Sequence, residues 1–272
     1  MLKEFIPAYT YSETGRQIFG LNSPFHFDAS VGAIISILSG VRIHVIPSEI
    51  RHSPEDFVEY IRKYKVTIVD GTPSHYELLI QSGLLDPSSL STLILGGEAV
   101  PELLWQKLAE FKGADSFNLY GPTECCDDTA IVQITGKKPI LGQLPLRQTQ
   151  IYILNEHLKP CPVNVYGELC ITGPNVGRGY LNREDLNQKS FVKNPLQPQS
   201  PYKLYRSGDL ARVLPNGNLE YLGRIDGQVK IRGYRIELGE IELQIKKNQD
   251  IKEVVVVDRL VNGEKQLVAY FS

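Results

Sequence analysis

Arg42-Ile43-His44-Val45-Ile46 is a short β-branched apolar run, and Pro54-Glu55-Asp56-Phe57-Val58-Glu59-Tyr60-Ile61-Arg62-Lys63-Tyr64 after it repeats apolar positions at helical spacing. The same order recurs twice: residues 66–69 before 74–82, and residues 93–95 before 101–111. Continuous apolar strands alternating with amphipathic stretches predict a parallel sheet covered by helices on both faces. Pro54 and Pro101 fall near helix starts, where a missing N–H costs nothing. Residues 20–120 therefore read as α/β. In such sheets ligands bind outside the carboxyl ends of the strands, which this reading places at Phe27-Asp28, Asp70-Gly71, Gly96-Gly97 and Tyr120-Gly121.

Downstream of about residue 134 the texture changes. Twelve of the 23 Gly and nine of the 17 Pro lie between residues 136 and 239, interleaved with short alternating runs such as 150–154 and 167–171. Short strands joined by tight turns are expected, in a small barrel or bent sheet. Pro215-Asn216-Gly217-Asn218, between two apolar runs, reads as a hairpin turn. From Asp226 a strand (228–232), a helix (237–247) and a strand (254–257) are expected. The predicted organisation is an α/β subdomain over 1–135, a β-rich, barrel-like subdomain over 136–225, and the start of a small α+β domain over 226–272. The last residues read as a further strand, so more chain is expected beyond Ser272.

The chain has 272 residues, 29 Lys plus Arg against 31 Asp plus Glu, a formal charge of −2 and 42% hydrophobic residues. That balance excludes a strongly basic nucleic-acid binder and an acidic disordered tail. Two compact units are expected at this length. Residues 1–7 lack the apolar stretch of a secretory signal, and the apolar run over 31–41 is broken by Ser36 and Ser39, so no membrane span is expected. Cys125, Cys126, Cys161 and Cys170 show no C-x-x-C spacing, which fits a reducing, cytoplasmic setting. The five histidines lack zinc-ligand spacing.

The segment richest in chemistry is Asn118-Leu119-Tyr120-Gly121-Pro122-Thr123-Glu124. It sets an aromatic ring, a Gly-Pro turn, a hydroxyl and a carboxylate together at a strand's carboxyl end. Thr123 can donate to a phosphoryl oxygen while Glu124 holds a hard cation through oxygen; a plain Gly-Pro turn with solvated polar residues is the alternative. Tyr205-Arg206-Ser207-Gly208-Asp209 places a lone carboxylate after a glycine, suited to both hydroxyls of a ribose. Residues 223–233 add a cationic stretch. Surface turns would explain either one alone.

Together, in this order, these segments resemble the adenylation domains of nonribosomal peptide synthetases, within the acyl-CoA synthetase and luciferase superfamily. Phe27-Asp28-Ala29-Ser30-Val31, Leu95-Gly96-Gly97-Glu98, Gly167-Glu168-Leu169-Cys170-Ile171, Gly177-Arg178-Gly179-Tyr180 and Arg235-Ile236-Glu237-Leu238-Gly239-Glu240-Ile241-Glu242 extend the match over almost the whole chain. The resemblance implies ATP and Mg²⁺ as cofactors and an ATP/AMP site formed by Gly97, Asn118, Tyr120, Gly121, Thr123, Asp209 and Arg224. Adenine would stack on Tyr120 near Asn118, with Thr123 on phosphate and Glu124 on the metal as the catalytic pair. Asp209 would take the ribose hydroxyls, supported by Arg224. Asp226 would be the hinge of a small rotating domain, with Lys230, Arg232 and Gly233 near the moving interface. The reaction implied is attack of a carboxylate on the α-phosphorus of ATP, aided by positioning and charge neutralisation.

By the same resemblance Asp28 pairs with the α-ammonium of an amino-acid substrate. The pocket is lined by Ala29, Gly32, Asp70, Ile94, Gly96, Leu119, Asp127 and Asp128. Gly32 leaves room for length and three carboxylates invite a second positive charge, a pattern similar to pockets for ornithine and other basic amino acids. Asp127 and Asp128 could instead start a helix, where acidic side chains favour the N-terminal dipole. The implied partners are the amino acid and a peptidyl carrier protein with a phosphopantetheine arm.

The family's Ser/Thr/Gly-rich phosphate loop finds no match between Met1 and Asn22, and its carboxy-terminal lysine motif would lie beyond Ser272. Loss of one preorganised charge donor lowers turnover roughly 10²–10³-fold, so little catalysis is expected from this chain alone. An apolar face that the family's amino-terminal half covers would be exposed. A complementing amino-terminal adenylation fragment, or a remnant of a longer enzyme, are the two expectations. A non-catalytic nucleotide-binding module and an acyl-CoA synthetase-like enzyme stand as alternatives.

Overall fold

The computed structural model describes residues 17–86, 89–126, 128–142, 144–145, 148–261 and 264–272; residues 1–7 and the pocket position Asp127 lie outside them. Strands β1 (Ile18–Leu21), β2 (Arg42–Val45), β3 (Ile68–Gly71), β4 (Thr92–Leu95) and β5 (Asp115–Tyr120) pair in parallel in the order β2-β1-β3-β4-β5. β6 (Ala130–Gln133) and β7 (Leu144–Pro145) extend the sheet antiparallel beside β5. Crossovers run through α1 (Ala29–Ser36), α2 (Ser48–Arg51) with α3 (Pro54–Tyr64), α4 (Pro73–Gln81) and α5 (Glu102–Glu110).

Local chemistry fixes the helix starts. Ser53 accepts the N–H of Asp56 with Pro54 as the first helical residue, and Thr72 accepts that of His75 ahead of Pro73. α3 to α5 pack on one sheet face through Phe57, Ile61, Tyr76, Leu79, Leu104 and Trp105. Each such side chain, fully buried, contributes about 1.5–3 kcal/mol. Among the described residues only α1 covers the other face, where Ala33 meets Phe19, Ile68, Ile94 and Leu119. Val31, Ile34, Ile37 and Leu38 on the outside of this segment stay exposed.

β8 (Gln150–Leu154), β9 (Gly167–Thr172), β10 (Phe191–Lys193), β11 (Lys203–Val213) and β12 (Leu219–Arg224) form an antiparallel sheet in the order β10-β11-β9-β8, with β12 on β11; α6 (Glu184–Ser190) leads into β10. The expected turn at 215–218 closes β11 onto β12, with Leu214 donating its N–H to Asn218 at 2.8 Å. β13 (Val229–Ile231), β14 (Tyr234–Ile236), α7 (Leu238–Ile245), β15 (Val254–Val261) and β16 (Glu264–Phe271) complete the chain. β14 is an addition to the sequence reading. Its hairpin turns through Arg232 and Gly233, both left-handed (φ 50° and 78°), and an arginine there is not a usual turn signal.

Two readings are corrected. Phe27-Asp28 is not a strand end: β1 stops at Leu21, residues 22–28 run through turns, and Asp28 caps α1 by accepting the N–H of Ala29. Asp128 starts no helix, because the chain passes from it into β6.

Candidate functional site

The site lies where β5 and β11 approach. β11 follows β9 in register to Arg206 and resumes at Leu210, so Ser207-Gly208-Asp209 forms a bulge. Gly208 makes it possible, at φ 74°, since an added Cβ would meet Arg224 Nη2 at 2.7 Å and Asp226 Oδ2 at 2.8 Å. The Ser207 hydroxyl donates to Leu169 carbonyl oxygen at 2.6 Å and accepts the Asp209 N–H at 3.0 Å. Glu168 accepts the Gly208 N–H at 3.1 Å and pairs with Arg206. Asp209 is thereby aimed inward and is buried. Its Oδ1 accepts from Arg224 Nη1 at 3.0 Å, and its Oδ2 accepts from the Tyr120 hydroxyl at 2.5 Å. Arg224 also holds Asp226 through two bonds of 3.0 and 2.5 Å and donates to Ser207 carbonyl oxygen. Burial and the neighbouring Asp209 carboxylate raise the Tyr120 phenol well above its ordinary value, so it stays a donor. Burial alone would raise Asp226, but Arg224 holds its carboxyl below the usual range.

Beyond Tyr120 the turn carries Thr123, Glu124 and Cys125 into one 3₁₀ turn. Glu124 is gripped from two sides. Its backbone carbonyl accepts the Gly177 N–H at 2.8 Å, and the Tyr180 hydroxyl donates to its Oε1. Asn187 clamps the backbone of Tyr180 by accepting its N–H at 2.6 Å and donating to its carbonyl at 2.8 Å. Arg235 Nη1 donates to Glu124 Oε1 at 2.7 Å and to Oε2 at 2.9 Å. Burial pushes the Glu124 carboxyl up, yet the Tyr180 bond and the Arg235 charge bring it below its ordinary value.

Thr123 donates its hydroxyl to Asp28 Oδ2, which ties the turn to the start of α1. Ala29 and Gly32 share the helix face of Ala33, the one turned to the sheet. Asp70 pairs in register with Ile94, and both lie with Gly96 and Leu119 on that same sheet face. Gly96 is close to Leu119, whose carbonyl oxygen would stand 3.5 Å from an added Cβ. Asp70 is buried and accepts a long bond of 3.4 Å from the Ser23 hydroxyl. The Tyr76 hydroxyl fixes the two strands by donating to Val69 carbonyl oxygen at 2.6 Å and accepting the Ile94 N–H at 3.1 Å. The nearby His75 ring is lowered by burial.

A family model described as AMP-binding enzyme matches residues 5–181. The chain belongs to the AMP-binding enzyme family. Its sequence is 41% identical over 266 residues to bacitracin synthase 1 of Bacillus licheniformis, covering 93% of this chain and 5% of that protein. Among solved structures it resembles holo-AB3403, a four-domain nonribosomal peptide synthetase bound to AMP and glycine (34% identity, TM-score 0.73, 94% of this chain and 19% of that one). It also resembles holo-PA1221, a nonribosomal peptide synthetase protein containing adenylation and PCP domains bound to a vinylsulfonamide inhibitor (27%, TM-score 0.83, 94% and 45%). This adenylation-domain chain thus spans a small part of its curated relative and less than half of either solved chain.

The adenylation fold brings most of the expected site residues together. Tyr120, Asp209, Arg224 and Asp226 form one bonded chain, and Thr123 meets Asp28. Asn118 is buried at the same strand end, where its amide donates to Ile140 carbonyl oxygen at 3.0 Å. Gly121 follows Tyr120 in the turn, and Gly97 sits beyond β4 in a left-handed conformation. Asp128 lies half-buried just after the 3₁₀ turn, where Cys126 carbonyl oxygen accepts its N–H at 3.1 Å. The sequence reading assigned no role to Tyr180, Glu98 or Arg235. Each stands in a quoted motif, but its partner is remote in sequence.

Among the described residues no group of three or more His, Cys, Asp or Glu side chains is placed to hold a metal. Glu124 could hold Mg²⁺ together with nucleotide phosphates, an arrangement this ion favours. The site fits the metal on those terms. No helix of the described residues is long and apolar enough to cross a membrane.

Proposed function

We propose that this chain supplies the nucleotide- and amino-acid-binding portion of an amino-acid adenylating ligase. The observation that carries the reading is the 2.5 Å bond from Tyr120 to Asp209, which joins the ends of an adenosine site across two sheets. Adenine stacks on Tyr120 beside Asn118, Gly97 and Gly121. The ribose hydroxyls meet Asp209, backed by Arg224, and Thr123 meets phosphate. Glu124 would hold Mg²⁺, which would offset charge on the phosphates. The substrate carboxylate attacks the α-phosphorus, an O–P bond forms, and the bond to pyrophosphate breaks, giving aminoacyl-AMP. The acyl group then passes to the phosphopantetheine thiol of a peptidyl carrier protein, and AMP leaves. Asp226 serves as the hinge between the core, 1–135 with 136–225, and the lid, 226–272.

Asp28 receives the α-ammonium, since a carboxylate taken out of water needs a cationic partner. Ala29, Gly32, Asp70, Ile94, Gly96, Leu119 and Asp128 line the side-chain pocket. A basic amino acid such as ornithine or lysine suits its carboxylates. Amino-acid-dependent ATP–pyrophosphate exchange, measured with and without a complementing amino-terminal adenylation fragment, tests the reading. Exchange strongest with basic amino acids supports it, and none in either mixture removes the enzyme claim. A second reading, a non-catalytic nucleotide-binding module, draws on the internal partners that both Asp209 and Glu124 already hold. AMP binding by calorimetry that vanishes in Asp209→Ala, without turnover, favours that module.

A further inference from the structure

The lid docks on the core through three groups of one hairpin, β13–β14. The Gly233 N–H donates to Glu98 Oε1 at 2.7 Å. The Tyr234 ring meets the Phe27 ring edge-on at 5.6 Å. Arg235 reaches furthest in and takes both carboxylate oxygens of Glu124. Its approach is prepared within the lid, because Arg235 Nε donates to Gln228 Oε1 at 2.6 Å and Gln228 donates in turn to Glu237. Lys230, opposite Arg235 in the hairpin, is within electrostatic range of Asp209 and Glu124.

These contacts conflict with a cation at the same carboxylate. A magnesium ion needs a Glu124 oxygen at about 2.0–2.1 Å, where Oε1 already accepts from Tyr180 and Arg235 and the same guanidinium bridges to Oε2, and the two positive charges repel. In the docked state the Glu124 side chain is 9% exposed, and Arg235 is the cation bonded to it. We propose that Arg235 is a positioning residue that stands in for the metal at Glu124, so that lid docking and cation binding are alternative states of one carboxylate. The proposal rests on the reading of Glu124 as the metal carboxylate. Loading the cation with nucleotide releases Arg235 and the lid; loss of the cation lets Arg235 return and hold the lid down over the turn at 120–124.

Mn²⁺ titrated into the full chain saturated with AMP, read by the fall of the free-Mn²⁺ EPR signal against a protein-free control, tests this. Arg235→Gln should bind Mn²⁺ at least tenfold more tightly than the unmodified chain, Arg235→Lys should fall between them, and Glu124→Gln should lose the site. In the unmodified chain, hydrogen exchange at the Gly233 amide should quicken when Mn²⁺ and AMP are added together. Equal Mn²⁺ affinity in the unmodified chain and Arg235→Gln, with Glu124→Gln still deficient, overturns the proposal and leaves Glu124 as the metal carboxylate. Arg235→Lys indistinguishable from Arg235→Gln also overturns it, because charge would then not be what competes. Mn²⁺ binding that ignores Glu124→Gln defeats the metal reading itself. Thermal melting of each variant identifies any that has failed to fold, and the exchange measurement on the unmodified chain decides the matter without them.

Discussion

Single residues decide where charge is placed. Gly208 is the clearest case, because its left-handed backbone and the guanidinium 2.7 Å from its missing Cβ both exclude a side chain. Gly208→Ala should cost about 1–3 kcal/mol, read as a lower urea midpoint with unchanged slope. His75 carries a second expectation. Its Nδ1 lies 3.4 Å from the Asn22 amide, its Nε2 is buried without a hydrogen-bond partner, and the Phe57 ring stands edge-on to it. Burial lowers its folded pKa below the ordinary 6.5, so the unfolded chain takes up a proton first as pH falls. The resulting stability is present above about pH 6.5 and diminishes below it until the folded value is passed. Melting temperature should drop from pH 7.5 to 5.5, and His75→Gln should flatten that drop; an unchanged slope counts against it.

At the scale of elements, Tyr120 ends β5 and Asp209 closes the bulge in β11, so one hydroxyl bonds two sheets. Tyr120→Phe should leave an Asp209 oxygen without its donor and cost about 1–3 kcal/mol in denaturant unfolding, with weaker AMP binding by calorimetry. Sequence gave good access to elements with local punctuation. The expected helices 54–64 and 74–82 begin within a residue of α3 and α4, and Pro-Asn-Gly-Asn marks the β11–β12 turn. β3 begins two residues later than its apolar run, because Thr67 uses its hydroxyl and backbone to brace Ile18 of β1 before pairing starts. The bulge at 207–209 was not legible, since it exists only relative to β9. Nor were the Tyr180–Glu124 and Arg235–Glu124 contacts, which join residues 56 and 111 positions apart. The motifs singled out candidate residues for a nucleotide, while the pairings between them arise from long-range packing.

Across the whole molecule the two sheet faces differ. Among the described residues α3 to α5 bury one, whereas on the other α1 presents Val31, Ile34 and, just beyond it, Leu38 to solvent at helical spacing. Ile34→Lys with Leu38→Lys should reduce concentration-dependent self-association in sedimentation velocity with little loss of melting temperature. It should also weaken capture of a complementing amino-terminal adenylation fragment; unchanged behaviour in both assays would mean that this stripe is not a contact. Glu98 links the remaining parts. One of its oxygens accepts the Ser74 N–H in the first turn of α4, at 3.1 Å, and the other accepts the Gly233 N–H of the β13–β14 hairpin. Without that hairpin in place the second oxygen would face water, and the negative charge facing the α4 amides would be shared differently. Asp70 stands just ahead of that helix, so a change at the β13–β14 hairpin would reach this strand end through Glu98 and α4.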